Sequence, residues 1–146
     1  MKATELMIGD WVGRVFDDKR IDYRQVDWIR TGEIGMRYQK VWAIGCIEPI
    51  PLTPEILEKN GFYDRNTQGY YAQWYYKRFG SYVCFDIAIS LVYKEIEVSK
   101  VCGAGTDCEE EEYGSSIVFG NDICVHTLQH ALRLCGLDEL ADNFKV

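Results

Sequence analysis

Short apolar runs, broken by charged and turn-forming residues, fill the chain as far as Cys46. "GDWVGRVF", "IDYRQVDWIR", "TGEIG" and "KVWAIGCI" follow one another, the first two separated by Asp17, Asp18 and Lys19. In the second run Tyr23, Gln25, Asp27 and Ile29 alternate with Arg24, Val26, Trp28 and Arg30, which is the period of a strand. Three or four short strands with tight turns predict a small curled antiparallel sheet, barrel-like in the SH3 manner.

The clearest local signal follows, in "IEPIPLTPEILEKNGF". Pro49 and Pro51 hold an extended run suited to an edge or a crossing strand. Thr53 is a good N-cap, and Pro54 has the preset φ and missing N–H that suit the first helical position. Glu55 complements the helix N-terminus, and Gly61 fits the left-handed position past the C-terminus. These residues predict a helix over 54–60 that connects two sheet regions.

From Phe62 to Lys100 strand-like runs return, with Gly80 and Ser81 as the predicted turn between "YYAQWYYKRF" and "YVCFDIAISLVYKEIEVSK". Ile87, Ile89, Leu91 and Tyr93 share one phase, but "YKEIEV" alternates in the opposite sense, which marks a bulge or a break. Residues 101–116, "VCGAGTDCEEEEYGSS", read as a long polar loop. A short strand, "SIVFG", leads into a helix over 125–135 and a shorter one in "LDELADNF". On the longer helix Val125, Leu128, Ala131, Leu132 and Cys135 form the apolar side. His126, Gln129, His130 and Arg133 fall together on the other side, read as a solvated or partner-facing surface.

Composition changes this picture in one respect. Ten Tyr, six Phe and four Trp against three Pro favour pleated, half-buried surfaces. Net charge is −7, which argues against binding nucleic acid through its phosphates. Arg14, Lys19, Arg20, Arg24 and Arg30 do cluster, but Asp10, Asp17, Asp18, Asp22 and Asp27 are interleaved with them. A nucleic-acid reading through Arg14, Arg20, Arg24 and Trp28 is therefore disfavoured. The start of the chain has no apolar run of signal-peptide length, and no stretch is long enough to span a bilayer. A reducing cytoplasm is the expectation, with the six cysteines mostly thiols. Cys46, Cys84 and Cys124 sit in apolar runs and read as small buried hydrophobes.

Candidate chemistry is sparse. His126 and His130 at i and i+4 can chelate a metal, but residue 127 is Thr where a zinc protease needs Glu, and Arg133 would repel a cation. Cys102 and Cys108 are spaced too widely for a zinc knuckle and read as two unrelated loop cysteines. Glu109 to Glu112 read as a solvated tip. No phosphate loop, nucleophile elbow or dinucleotide fingerprint occurs, so no catalytic residue, metal or cofactor is assigned. A metal or enzymatic site around Cys124, His126 and His130 is kept as the alternative. Aromatic residues crowd "YYAQWYYKRF", and a strand there carries rings on both faces. Trp74, Tyr75 and Tyr76 therefore join His126, Gln129, His130 and Arg133 as candidate binding residues for a protein partner, a second copy of this chain included.

"ELMIGDWV" at 5–12, "PIPLTPEILEKNGF" at 49–62 and "VHTLQHALRLCGLDEL" at 125–140 resemble a family of small uncharacterised Bacteroidetes proteins often carried on prophages and mobile elements. The chain departs from that family's pattern at Asp10, Pro54 and His130, where Asn, Glu and Asn are common. The resemblance implies a context and no chemistry. The expectation is a single α+β domain over 1–146. A barrel-like sheet (1–47) is followed by a short capped helix and a larger antiparallel sheet packed by a C-terminal helix (48–146). Its expected role is a non-enzymatic binding or adaptor protein, with no membrane association.

Overall fold

Four antiparallel strands, β1 (Trp11–Val15), β2 (Ile21–Arg30), β3 (Glu33–Met36) and β4 (Lys40–Ala43), form an N-terminal sheet in the order β1-β2-β3-β4. The computed structural model describes residues 5–38, 40–64, 73–78, 83–102, 112–120 and 123–146. Val12, Val26, Ile34, Met36, Trp42 and Ile47, with Leu6, bury a small core on this sheet. A 3-10 turn at Ile44–Cys46 then sends the chain back toward β1. There Gly13 and Glu48 exchange backbone hydrogen bonds of 3.0 and 2.8 Å, an isolated bridge. The architecture is α+β as expected, and the barrel-like first sheet is an open four-stranded antiparallel sheet with no closed barrel among the described residues.

The turn to a second core falls between Ile47 and Ile50. Pro51 forms a bridge with Cys124, and Val125 N donates to Ile50 O at 2.9 Å, so the proline run crosses from the first sheet to the C-terminal helix. Helix α1 (Pro54–Lys59) begins as the sequence predicts: Thr53 Oγ1 accepts from Ile56 N at 3.3 Å. Gly61, at φ +82°, ends it in the left-handed region. Strands β5 (Tyr63–Asp64), β6 (Gln73–Arg78), β7 (Val83–Ser90), β8 (Glu95–Cys102) and β9 (Glu112–Gly120) make a second antiparallel sheet in sequence order.

Strand pleating explains the main core. Ile87 pairs with Val98 and Ile89 with Ile96, so four β-branched side chains line one face and are buried. Helix α2 (Val125–Leu134) lays Val125, Leu128, Ala131 and Leu132 into the same cluster, joined by Leu137, Ala141 and Phe144 around α3 (Asp138–Asp142). No helix among the described residues is long and apolar enough to cross a membrane.

The inverted phase at Tyr93 is the break of the two alternatives, a hairpin turn: Ser90 pairs with Glu95, Ser90 Oγ accepts from Tyr93 N at 3.1 Å, and Lys94 takes φ +55°. A serine and a lysine do here what glycine usually does, so the turn carries no composition signal. The loop at 101–116 is shorter than expected, because β8 and β9 pair Val101 with Tyr113 and Cys102 with Glu112. Cys46 is exposed, since the 3-10 turn lifts it off the sheet. The predicted turn at Gly80 and Ser81, together with Cys108 and Glu109 to Glu111, lies outside the described residues.

A Cβ at Gly35 would lie within the indole of Trp28, its cross-strand neighbour. Gly35→Ala is therefore expected to destabilise the protein by about 1–3 kcal/mol through overpacking. Urea unfolding followed by tryptophan fluorescence checks this, and an unchanged midpoint and spectrum would sink it.

Candidate functional site

The turn at Gly9 and Asp10 carries the first residues of the site. Gly9 N donates to Val26 O at 2.7 Å and Val26 N to Asp10 O at 2.8 Å, so the turn is docked on β2. Gly9 adopts φ +90°, and a Cβ there would stand 2.8 Å from Arg133 Nη2. Only glycine lets the guanidinium approach this backbone.

Asp10 is fully buried, and its carboxylate has three donors around it. Met7 N donates to Oδ2 at 2.7 Å, Arg133 Nη1 to Oδ1 at 2.7 Å, and His130 Nε2 lies 2.8 Å from Oδ2. The imidazole nitrogen facing a carboxylate must carry the proton, which fixes the His130 tautomer. Burial weakens the Arg133 charge, but its hydrogen bonds to Asp10 and Asp142 outweigh that and hold the guanidinium firmly protonated. Arg133 Nη2 also donates to Asp142 Oδ1 at 3.2 Å and Ile8 O at 3.3 Å.

Gln129, one helical residue away, is equally buried and fully satisfied. Its Oε1 accepts from Trp11 N at 2.9 Å, and its Nε2 donates to Gly9 O at 3.0 Å and Ala141 O at 2.7 Å. Trp11 Nε1 donates to Phe144 O at 2.7 Å, and Gln25 Nε2 to Asp142 O at 2.9 Å. The side of α2 that the sequence assigned to solvent or a partner is thus covered by the chain's own N-terminal turn. A helical wheel sorts polar from apolar positions; it does not register that the turn at Gly9 and Asp10 presents backbone groups and a buried carboxylate to the polar side.

His126 is buried too, with its ring edge-on to His130 at 5.9 Å between centroids. Its Nδ1 lies 3.1 Å from Cys124 Sγ, and Thr127 Oγ1 lies 3.0 Å from the same sulfur. Burial holds His126 below the ordinary histidine range; Asp10 and Glu5 pull the other way, and His130 adds to the lowering. Among the described residues no group of three or more His, Cys, Asp or Glu is placed to hold a metal. The nitrogen His130 would offer is already held by Asp10.

Trp74, Tyr75 and Tyr76 do lie in a strand, β6, but their side chains are outside the described residues. The arginines of the first sheet are already engaged. Arg24 pairs with Asp22 at 3.0 Å, Arg20 with Asp18 at 2.6 Å, and Arg14 and Arg30 stack over Phe16 and Trp28. Asp10, Gln25 and Asn60 were not legible as buried polar residues. Asp10 and Asn60 sit at element ends, without the periodicity that marks a helix or strand, and Gln25 sits in β2, where both faces mix polar and apolar residues. The comparisons with family models, curated proteins and solved structures find no match to this chain, so the site stands on its geometry.

Asp10→Asn leaves Arg133 without its buried anion and is expected to cost about 3 kcal/mol, measured by urea unfolding. Adding His130→Asn should cost less than the separate effects summed, by about 1 kcal/mol, because the two side chains touch; strict additivity would refute the pairing. For His126 the unfolded chain takes up the proton first as pH falls. Stability is therefore full above the ordinary value of 6.5 and declines below it until the lower folded-state value is passed. A Tm that is flat between about pH 7.5 and 5 would contradict this.

Proposed function

We propose that the chain is a small non-enzymatic binding or adaptor protein of a mobile element, working in a reducing cytoplasm and pairing with protein through the outer edge of β9. The observation that carries this reading is the edge itself. Strand β9 is terminal in the second sheet, and among the described residues nothing pairs with its outer side. From Tyr113 to Gly120 it holds eight residues with no charge and no proline. Its one charge, Glu112, stands at the first position, whereas the other terminal strands are shorter and also carry charge: Arg14 in β1, Lys40 in β4 and Asp64 in β5. Natural sheets guard such edges against pairing, and an unguarded one is a template for another strand. A second copy is the favoured partner, since two uncharged edges meet without the repulsion that a net charge of −7 imposes elsewhere.

The mobile-element context rests on the resemblance, which gains support from where its blocks lie. The opening and closing blocks meet through Asp10, Gln129 and Arg133, and the central one joins the closing block where Val125 N donates to Ile50 O. Asp10 and His130, where the chain departs from the pattern, hydrogen-bond each other, as a pair exchanged together would. The 3-10 turn and the return of Glu48 beside β1 favour an SH3-like ancestry for the first sheet.

Val118 on β9 is exposed and sits opposite exposed Glu97 on β8, so a lysine there gains an ion-pair partner and keeps the fold. In a two-fold pair of β9 strands the same lysine meets its own copy. Native mass spectrometry is expected to show a dimer for the wild type and a monomer for Val118→Lys with an unchanged Tm. A monomeric wild type would overturn self-pairing.

A further inference from the structure

The joint between α2 and the first sheet leaves one nucleophile unused. Cys124 is the N-cap of α2, so its sulfur lies at the positive end of a ten-residue helix. The same sulfur contacts the His126 ring and the Thr127 hydroxyl. Cys124 also lines a cavity of about 270 Å³ whose walls are Pro49, Pro51, Leu52, Leu91 and Ile123, with Lys94 beside them. The walls are apolar, Lys94 is the cationic residue among them, and a thiol with a proton acceptor lies to one side. For scale, an apolar cavity of roughly 150 Å³ holds a benzene ring, so this one accommodates a chain of several carbons.

We propose that Cys124 and this cavity form an acyl-accepting site, taking a medium-length apolar acyl group from a thioester. The acyl chain lies among the prolines, Leu52, Leu91 and Ile123, with its carbonyl carbon at the sulfur. The Cys124 thiol gives its proton to the His126 imidazole as the sulfur attacks that carbon. A new C–S bond forms, the donor's C–S bond breaks, and the departing thiolate takes the proton back from His126. Atoms and charge balance with no oxidant or reductant. The helix N-terminus favours both the attacking thiolate and the oxygen that becomes negative during attack. Burial keeps His126 unprotonated at neutral pH, so its lone pair is available. Cys135 makes the contrast: it is as buried as Cys124 but ends α2 at its C-terminus, and its thiol is pushed up to about 11.

The test treats the reduced full-length chain with S-octanoyl and S-acetyl N-acetylcysteamine and follows adducts by intact mass and peptide mapping. Cys124 should acylate at least ~10-fold faster than exposed Cys46, because a general base and a helix end act on it alone. The octanoyl donor should outrun the acetyl donor at Cys124 and not at Cys46. Cys124→Ser, which keeps a favourable N-cap residue, should abolish the fast adduct, and His126→Asn should slow it by at least ~10-fold. Equal rates at Cys124 and Cys46, or no chain-length preference at Cys124, would overturn the proposal. Both comparisons are made within the wild-type chain, so a His126→Asn protein that fails to fold leaves the test intact. This site and the β9 edge are independent, and either reading can fail alone.

Discussion

A buried carboxylate sets the terms for the rest of this structure. Taking Asp10 out of water costs several kcal/mol unless its charge and lone pairs are met. Met7 N, Arg133 and His130 meet them, one from the N-terminal turn and two from α2. The N-terminal turn, the polar-side residues of α2 and, through Asp142, the end of α3 are thereby locked into one arrangement. Such a cluster adds less net stability than an apolar plug of the same volume, but it tolerates far fewer alternatives. It fixes how the first sheet sits against the C-terminal helices.

The same logic recurs wherever irregular backbone is buried. Sheets and helices satisfy their own N–H and C=O groups, whereas turns and chain ends need side chains. Gln129 serves Trp11, Gly9 and Ala141. Asn60 does likewise at the other end of the core: its Nδ2 donates to Ile56 O and Lys145 O, and its Oδ1 accepts from Lys145 N. The C-terminal residues are pinned to α1 in this way, which lets Phe144 reach the core. Amides suit the task because one side chain both donates and accepts.

With the polar side of α2 spent internally, the two proposed sites lie elsewhere. One is the outer edge of β9, unpaired among the described residues, and the other the apolar cavity beside Cys124. The second depends on the joint, because His126 owes its burial, and so its neutral state, to the packing that buries its neighbours. The three described thiols outside the sheet strands sit in different settings. Cys46 is exposed on a turn, Cys135 is buried with its thiol pushed up to about 11, and Cys124 is equally buried but has His126 and a helix N-terminus beside it.

The sequence by itself determined the elements whose causes are local. Thr53, Pro54 and Gly61 specify α1 because capping and left-handed φ act over three or four residues. The alternation of Ile87 with Ile89 specifies a buried strand face, and the apolar side of α2 follows from its 3.6-residue period. The turn after Ser90 left only an inverted phase as its trace, since a side-chain hydrogen bond replaced the expected glycine. Only the tertiary structure decided what the polar residues do. Asp10 meets Arg133 across 123 residues of chain, and Gln129 meets Gly9 across 120. A carboxylate surrounded by distant donors and one surrounded by water read identically in sequence, because what separates them is which surfaces come together when the chain folds.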